Sequence, residues 1–348
     1  MITFCEGLPF LDPDSGITGI CWRGGGKSHA DVIDFHHGNW DLDTVYNLRS
    51  FRKIVCDISR DFDSIKRLEK NSRGKIITSS SSKKPRVAAS SYLNSAPLIW
   101  SFQHGSLSDA VQLVTDAAPA RCADLLSRGE VEAALVPVIE YQRNPDIQIV
   151  PDVCVGSHSD VRSVVLVSKY DELKRIRKVA LDVSSRTSQA LVRIIFREFL
   201  GFEPEWEASS PDVRVMLQSN DAALVIGDPG MTIPRDDLQV FDLAGLWRSF
   251  TGTGFVFAMW MVAAGGARTV NVADFAGARN EGLQQIERIV DQFETQLSLS
   301  REEMRSYLTN NITFQIDDDL AKGMQLYFEL AAKHQLIETN KPLQFVTS

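Results

Sequence analysis

From Arg86 onward the chain alternates short apolar runs with longer segments of helical period, and this regularity most limits what it can fold into. The strand-like runs are Val87-Ala89, Val111-Thr115, Ala133-Pro137, Ile147-Val150, Val161-Ser168, Val179-Val183, Ala222-Ile226 and Phe255-Val262. Helical pieces lie between them. In "SQALVRIIFREFLG", Leu191, Ile195 and Phe199 form one apolar row, Val192, Phe196 and Leu200 form the next, and Gly201 is the stop. In "PARCADLLSRGE" the leucines share a face and Gly129 ends the segment. Alternation on this scale predicts an α/β architecture, and 348 residues suffice for more than one core.

Residues 1–85 have a different texture. Glycine, aspartate and histidine are scattered without clear period, and "KNSRGKIITSSSSKKPR" reads as a flexible linker. The expectation is an extension, partly disordered, with one weakly amphipathic helix over "TVYNLRSFRKIVCDISRDFDSIKRLEK". "RGGGKS" at Arg23 to Ser28 lacks the upstream glycine and strand of a phosphate-binding loop and reads as a glycine turn. His36-His37 has no third ligand at helical spacing, so no metal is expected. The net charge of -8 opposes nucleic acid and anionic membrane surfaces as partners. No apolar run approaches the roughly 18 residues a membrane helix needs. The opening "MITFCEGLPFLDPDSG" lacks an apolar leader, and the five cysteines contain no C-x-x-C pair, so reduced thiols and a cytoplasmic location are expected. Cys122 and Cys154, in apolar runs, read as core residues.

In open α/β sheets, ligands bind beyond the carboxyl ends of strands, near helix N-termini that favour anions. Three strand ends carry polar groups of that kind. "RVAASSYLNSAPLIW" offers Tyr92, Asn94 and Ser95 ahead of Pro97; "LDVSSRTSQAL" offers Arg186, Thr187 and Ser188; "AALVIGDPG" ends in Gly227-Asp228. Serine and threonine before a helix are caps first and ligands second. Arg186 is different, because a cation at the positive end of a helix dipole calls for an anion beside it, either a ligand or a carboxylate such as Asp228. Ser163 and Thr251 stand near the start and end of further segments that reach the same region. His104, His158 and His334 fall outside all three clusters and read as surface histidines.

In order along the chain, "VAASSYLNSAPLIW", "GEVEAALVPVIEYQR", "IVPDVCVGS", "VRSVVLVSK", "LDVSSRTSQAL", "DAALVIGD", "FDLAGLWRSFTG" and "FVFAMW" closely resemble the chorismate dehydratases of the futalosine route to menaquinone. The resemblance implies a two-lobed, type II periplasmic-binding-protein-like fold with a ligand cleft between the lobes. It places 86–164 and 255–348 in one lobe and 165–254 in the other, with crossings at Val161-Ser168 and Phe255-Val262. It implies dehydration of chorismate to 3-(1-carboxyvinyloxy)benzoate, a carbon–oxygen lyase reaction, with no cofactor and no metal, by a monomer or homodimer. Asn94 and Ser163 are then the catalytic candidates. Tyr92, Asn94, Ser95, Ser163, Arg186, Thr187, Ser188, Asp228 and Thr251 make up the substrate-binding set, with Asp228 in a supporting role unless protonated.

Two departures from the family are visible. Thr253-Gly254 replaces the usual leucine or methionine and proline, which implies a looser turn, and Pro229 replaces an alanine. The matched motifs contain neither a histidine nor a free carboxylate, so the substrate's own enolpyruvyl carboxylate is the expected base. Two other readings stay open: a domain of the same fold that binds an aromatic acid without converting it, and the sister enzyme that makes 1,4-dihydroxy-6-naphthoate.

Overall fold

The computed structural model describes residues 84–233, 237–263 and 273–346, and within the first 83 residues only four short strands. Those strands form two antiparallel pairs: β1 (Phe4–Cys5) with β2 (Leu8–Pro9), and β3 (Gly19–Trp22) with β4 (Asp31–Asp34). The expected helix over 44–70, the linker, the glycine turn at Arg23 to Ser28 and His36-His37 lie outside the described residues.

The described residues from Lys84 onward contain two five-stranded mixed sheets. The first has the order β6 (Gln112–Asp116), β5 (Arg86–Ser90), β7 (Ala133–Pro137), β14 (Phe255–Ala263), β8 (Ile147–Ser157). In it β5 runs parallel to β6 and β7, whereas β14 is antiparallel to β7 and β8. The second sheet has the order β11 (Glu205–Ser209), β10 (Lys178–Asp182), β12 (Ala222–Ile226), β9 (Val164–Ser168), β13 (Gln239–Asp242). The chain passes from the first sheet to the second between Ser157 and Val164 and returns between Asp242 and Phe255. The result is a two-lobed α/β protein.

The central strands read clearly in sequence because they are buried on both faces: β7, β9 and β12 are buried at every residue. The strands that periodicity misses, β11 and β13, are the two edges of the second sheet, and their exposed polar residues hide the signal. The long helix is α-helical over Thr187–Ile194 and π-helical over Ile195–Leu200, and Gly201 ends it at φ 76°. Gly129, at φ 66°, closes helix Pro119–Ser127 in the same way. Cys122 and Cys154 are buried thiols, each pushed up to about 12 by burial, as suits core residues.

One expected strand begins late. Val161 to Ser163 forms a turn rather than the start of β9, because the Asp242 carboxylate accepts the N–H groups of Val161 (3.1 Å) and Arg162 (2.6 Å), which draws them out of any ladder. Arg162 takes φ 62°, a left-handed conformation uncommon for a residue with a side chain. The same carboxylate caps helix Leu243–Thr251 through Ala244 and Gly245. One acid therefore sets both the helix start and the pose of Ser163.

The turn at Thr253-Gly254 is tied, contrary to the looser turn expected. The Trp247 indole N–H donates to Thr253 Oγ1 and to the Gly254 carbonyl at 3.1 Å each, and the Gly254 N–H donates to Asp319 at 3.0 Å. Helix Asp318–Lys333 crosses so closely that a Cβ on Gly323 would lie 1.9 Å from the Gly254 carbonyl oxygen. Edge-to-face pairs of Phe255 with Trp247 (5.3 Å) and Tyr327 (5.0 Å) fix this crossing, each contributing about 0.5–1.5 kcal/mol beyond area burial.

Candidate active site

A cavity holding about 570 Å³ of empty space, its open mouth included, lies where the strand ends of the two sheets meet. Tyr92, Asn94 and Ser95 reach it from the corner after β5, Ser163 from the turn before β9, and Thr187 and Ser188 from the start of helix Thr187–Ile194. Phe257 and Ile226 give it apolar walls. Among the described residues, none that lines it carries a formal charge.

Three of the lining hydroxyls share one arrangement: each accepts a hydrogen bond from behind. Tyr307 donates to Ser163 Oγ (2.7 Å), the Ile139 N–H to Thr187 Oγ1 (3.3 Å), and the Ser188 N–H to Ser185 Oγ (3.2 Å). A hydroxyl has a single proton, so one whose oxygen is already engaged retains that proton for another acceptor. Ser163, Ser185 and Thr187 are at most 2 % exposed, and all three line the cavity. Asn94 is poised the same way, since its Oδ1 accepts from Ser95 Oγ (3.2 Å) and its amide N–H groups remain to donate. The cavity is thus a set of neutral donors at a helix N-terminus, an arrangement suited to carboxylates.

Tyr92 is held by shape. Its ring packs against Gly227, where a Cβ would lie 2.4 Å from the ring, and Gly227 sits at φ 69°, ψ -152°. Burial pushes the Tyr92 phenol up to about 12, offset in part by a hydrogen bond with Ser184.

Three members of the expected binding set lie elsewhere. Arg186 is not among the residues lining the cavity and pairs with Asp124 (2.5 Å) and Glu140 (2.9 Å) rather than with Asp228. Those acids belong to helices packed on the first sheet, so Arg186 ties the two lobes together. Burial lowers the Arg186 pKa, but the two carboxylates more than offset it and hold the guanidinium above its ordinary value. Thr251 donates to the Trp247 carbonyl (2.8 Å) and shares a 3.0 Å contact with Thr253. Asp228 accepts the Leu93 N–H at 3.0 Å, a second tie between the lobes. The histidines are likewise remote: His158 contacts Asp317 and Asp319, His334 pairs with Glu198, and His104 packs on Trp100.

Asp228 supports a pH prediction. Burial lifts its carboxyl to about 6, opposed by the Leu93 N–H. The folded value exceeds the unfolded one of about 3.9, so between about pH 4 and 6 the folded protein holds a proton the unfolded chain has released. The stability this contributes is complete below about pH 4 and is lost as pH rises through 6. Asp228→Asn keeps an oxygen for Leu93 and removes the titration. Urea midpoints measured from pH 4 to 7 should fall less steeply in the variant than in the wild type; identical slopes would refute the assignment.

Comparison with solved structures agrees with the sheet topology. The fold matches protein AF1704 from Archaeoglobus fulgidus with a TM-score of 0.60 at 15% identity, over 74% of this chain and 99% of that one. It matches the periplasmic aliphatic sulphonate binding protein SsuA from Escherichia coli with a TM-score of 0.52 at 17% identity, over 76% and 94%. Two mixed sheets, two crossings and a donor-lined cavity between them define a protein of the periplasmic-binding-protein fold. A family model described as menaquinone biosynthesis matches residues 85–333, and the chain belongs to that family. A chorismate dehydratase from Thermus thermophilus is 28% identical over 262 residues, covering 68% of this chain and 92% of that relative.

Proposed function

We propose that this protein is a chorismate dehydratase of the futalosine route, releasing water from chorismate to give 3-(1-carboxyvinyloxy)benzoate. The observation that carries the reading is the lining itself: hydroxyl and amide donors with no charged side chain among them. Chorismate bears two carboxylates, which such donors hold without a counter-charge. The relative from Thermus thermophilus bears the same activity in its name. The lobes are 86–164 with 255–348, and 165–254.

Elimination needs a base for the ring proton beside the ether oxygen and an acid for the departing hydroxyl. Among the described residues, the lining contains no histidine and no carboxylate that could act as base. The substrate's enolpyruvyl carboxylate takes the ring proton, the C–H pair becomes the new ring π bond, and the C–O bond breaks. The carboxyl so protonated passes that proton to the departing oxygen, which leaves as water and restores the carboxylate, and aromatisation supplies the driving force. Asn94 orients the hydroxyl or the enolpyruvyl group, and Ser163, Thr187 and Ser188 hold carboxylates.

Purified protein should consume chorismate with loss of the diene absorbance. An analogue esterified at the enolpyruvyl carboxylate should react at least about 100-fold more slowly. Binding of chorismate without conversion would point to a non-catalytic domain, and conversion of cyclic dehypoxanthinyl futalosine would point to the sister enzyme. An unchanged rate with the ester would overturn the base assignment.

A further inference from the structure

Tyr307 lies in the C-terminal half, at the start of the π-helical turn Tyr307–Asn311, and is 0% exposed. It does not line the cavity, yet its hydroxyl donates to Ser163 Oγ at 2.7 Å. One buried phenol therefore contacts a side chain assigned to the chemistry, Ser163, which arrives from the turn before β9. Its environment keeps it protonated: burial raises the phenol pKa, and the Asp228 charge adds to that against the lowering effect of the Ser163 hydrogen bond. A phenol has one proton, and this one is committed to Ser163.

That commitment decides the polarity of Ser163. Its Oγ accepts from Tyr307, and no other side-chain hydrogen bond is made by that Oγ among the described residues. The Ser163 main chain is held in place, its N–H bonding Val161 (2.8 Å) and its carbonyl accepting from Gly227 (2.7 Å), so its Cβ keeps its position beside Tyr307. The remaining direction for the Ser163 proton is the cavity.

Resting on the dehydratase reading, we infer that Tyr307 is a positioning residue that fixes Ser163 as a donor into the cavity, so that this end of the cavity selects a ligand oxygen acceptor such as a carboxylate. Without the phenol, the Ser163 hydroxyl is free to point its proton back into the gap left behind it, and the ligand then meets a lone pair. A carboxylate is repelled there, whereas an N–H or O–H donor is accepted.

A double-mutant cycle tests this, with Tyr307→Phe, Ser163→Ala and the double variant assayed for chorismate turnover and, by calorimetry, for binding of 3-(1-carboxyvinyloxy)benzoate. Tyr307→Phe should lower kcat/KM about 10–100-fold. In the Ser163→Ala background the same change should cost less than about twofold, because the two groups act as one. Equal losses in both backgrounds, or no loss in the first, overturn the inference; an independent packing role would give additivity. If Tyr307→Phe does not fold, 3-fluorotyrosine at position 307 replaces it. That residue keeps the ring and strengthens the donor, and it should raise kcat/KM; an unchanged value overturns the inference. Wild-type protein that binds the product without dehydrating chorismate removes the dehydratase reading alone, and the binding cycle then judges Tyr307. Failure to bind either compound overturns both.

Discussion

Asn94→Ala is expected to lower kcat/KM for chorismate by about 10²–10³, the loss seen when one donor to a developing charge is removed, with little change in melting temperature. The two parts of this expectation have different physical origins. Asn94 is only partly buried, and its removal leaves no closed cavity, so the fold loses little. Its carbonyl oxygen is held by Ser95 Oγ, which fixes the amide plane of a residue that lines the cavity. Asn94→Asp keeps the shape but replaces donors with acceptors and adds a negative charge facing a dianion. It should be at least as damaging as alanine. Steady-state kinetics beside thermal melts decides the matter: a drop in kcat/KM accompanied by an equal loss of folded protein would move Asn94 from chemistry to structure.

Gly227→Ala should be the most destabilising single substitution at the cavity, by about 2–6 kcal/mol. Two independent costs contribute. The backbone at φ 69°, ψ -152° lies in a region adopted essentially by glycine alone, and forcing another residue there costs about 1–3 kcal/mol. The added methyl would also stand 2.4 Å from the Tyr92 ring, and overpacking of this kind costs about 1–3 kcal/mol. Tyr92→Ala in the same chain removes the clash and leaves the backbone strain, so the double variant should recover only part of the loss relative to Tyr92→Ala alone. Urea denaturation separates the two terms. A Gly227→Ala protein within 1 kcal/mol of wild type would mean that neither contact is as tight as described.

Local pattern carried much of the fold. β7 and β12 were legible to the residue because a strand buried on both faces must be apolar throughout, and Gly129 and Gly201 marked helix ends because only glycine takes that conformation without cost. The polar clusters at the ends of β5 and β10 were legible as well, since chain order alone places them before helix N-termini. The edge strands β11 and β13 of the second sheet were not legible, and neither was the turn before Ser163, which a carboxylate 80 residues downstream imposes.

Sequence by itself therefore determined the α/β alternation, the family, and the identity of Tyr92, Asn94, Ser163, Thr187 and Ser188 as polar groups at strand and helix ends. Tertiary structure alone decided which way the polar groups around them point: Arg186 outward to Asp124 and Glu140, Asp228 onto Leu93, and Tyr307 onto Ser163 across 144 residues of chain. The reason is that periodicity reports burial, which depends on neighbours a few residues away. A hydrogen bond's direction depends on which distant oxygen or nitrogen packing brings within about 3 Å.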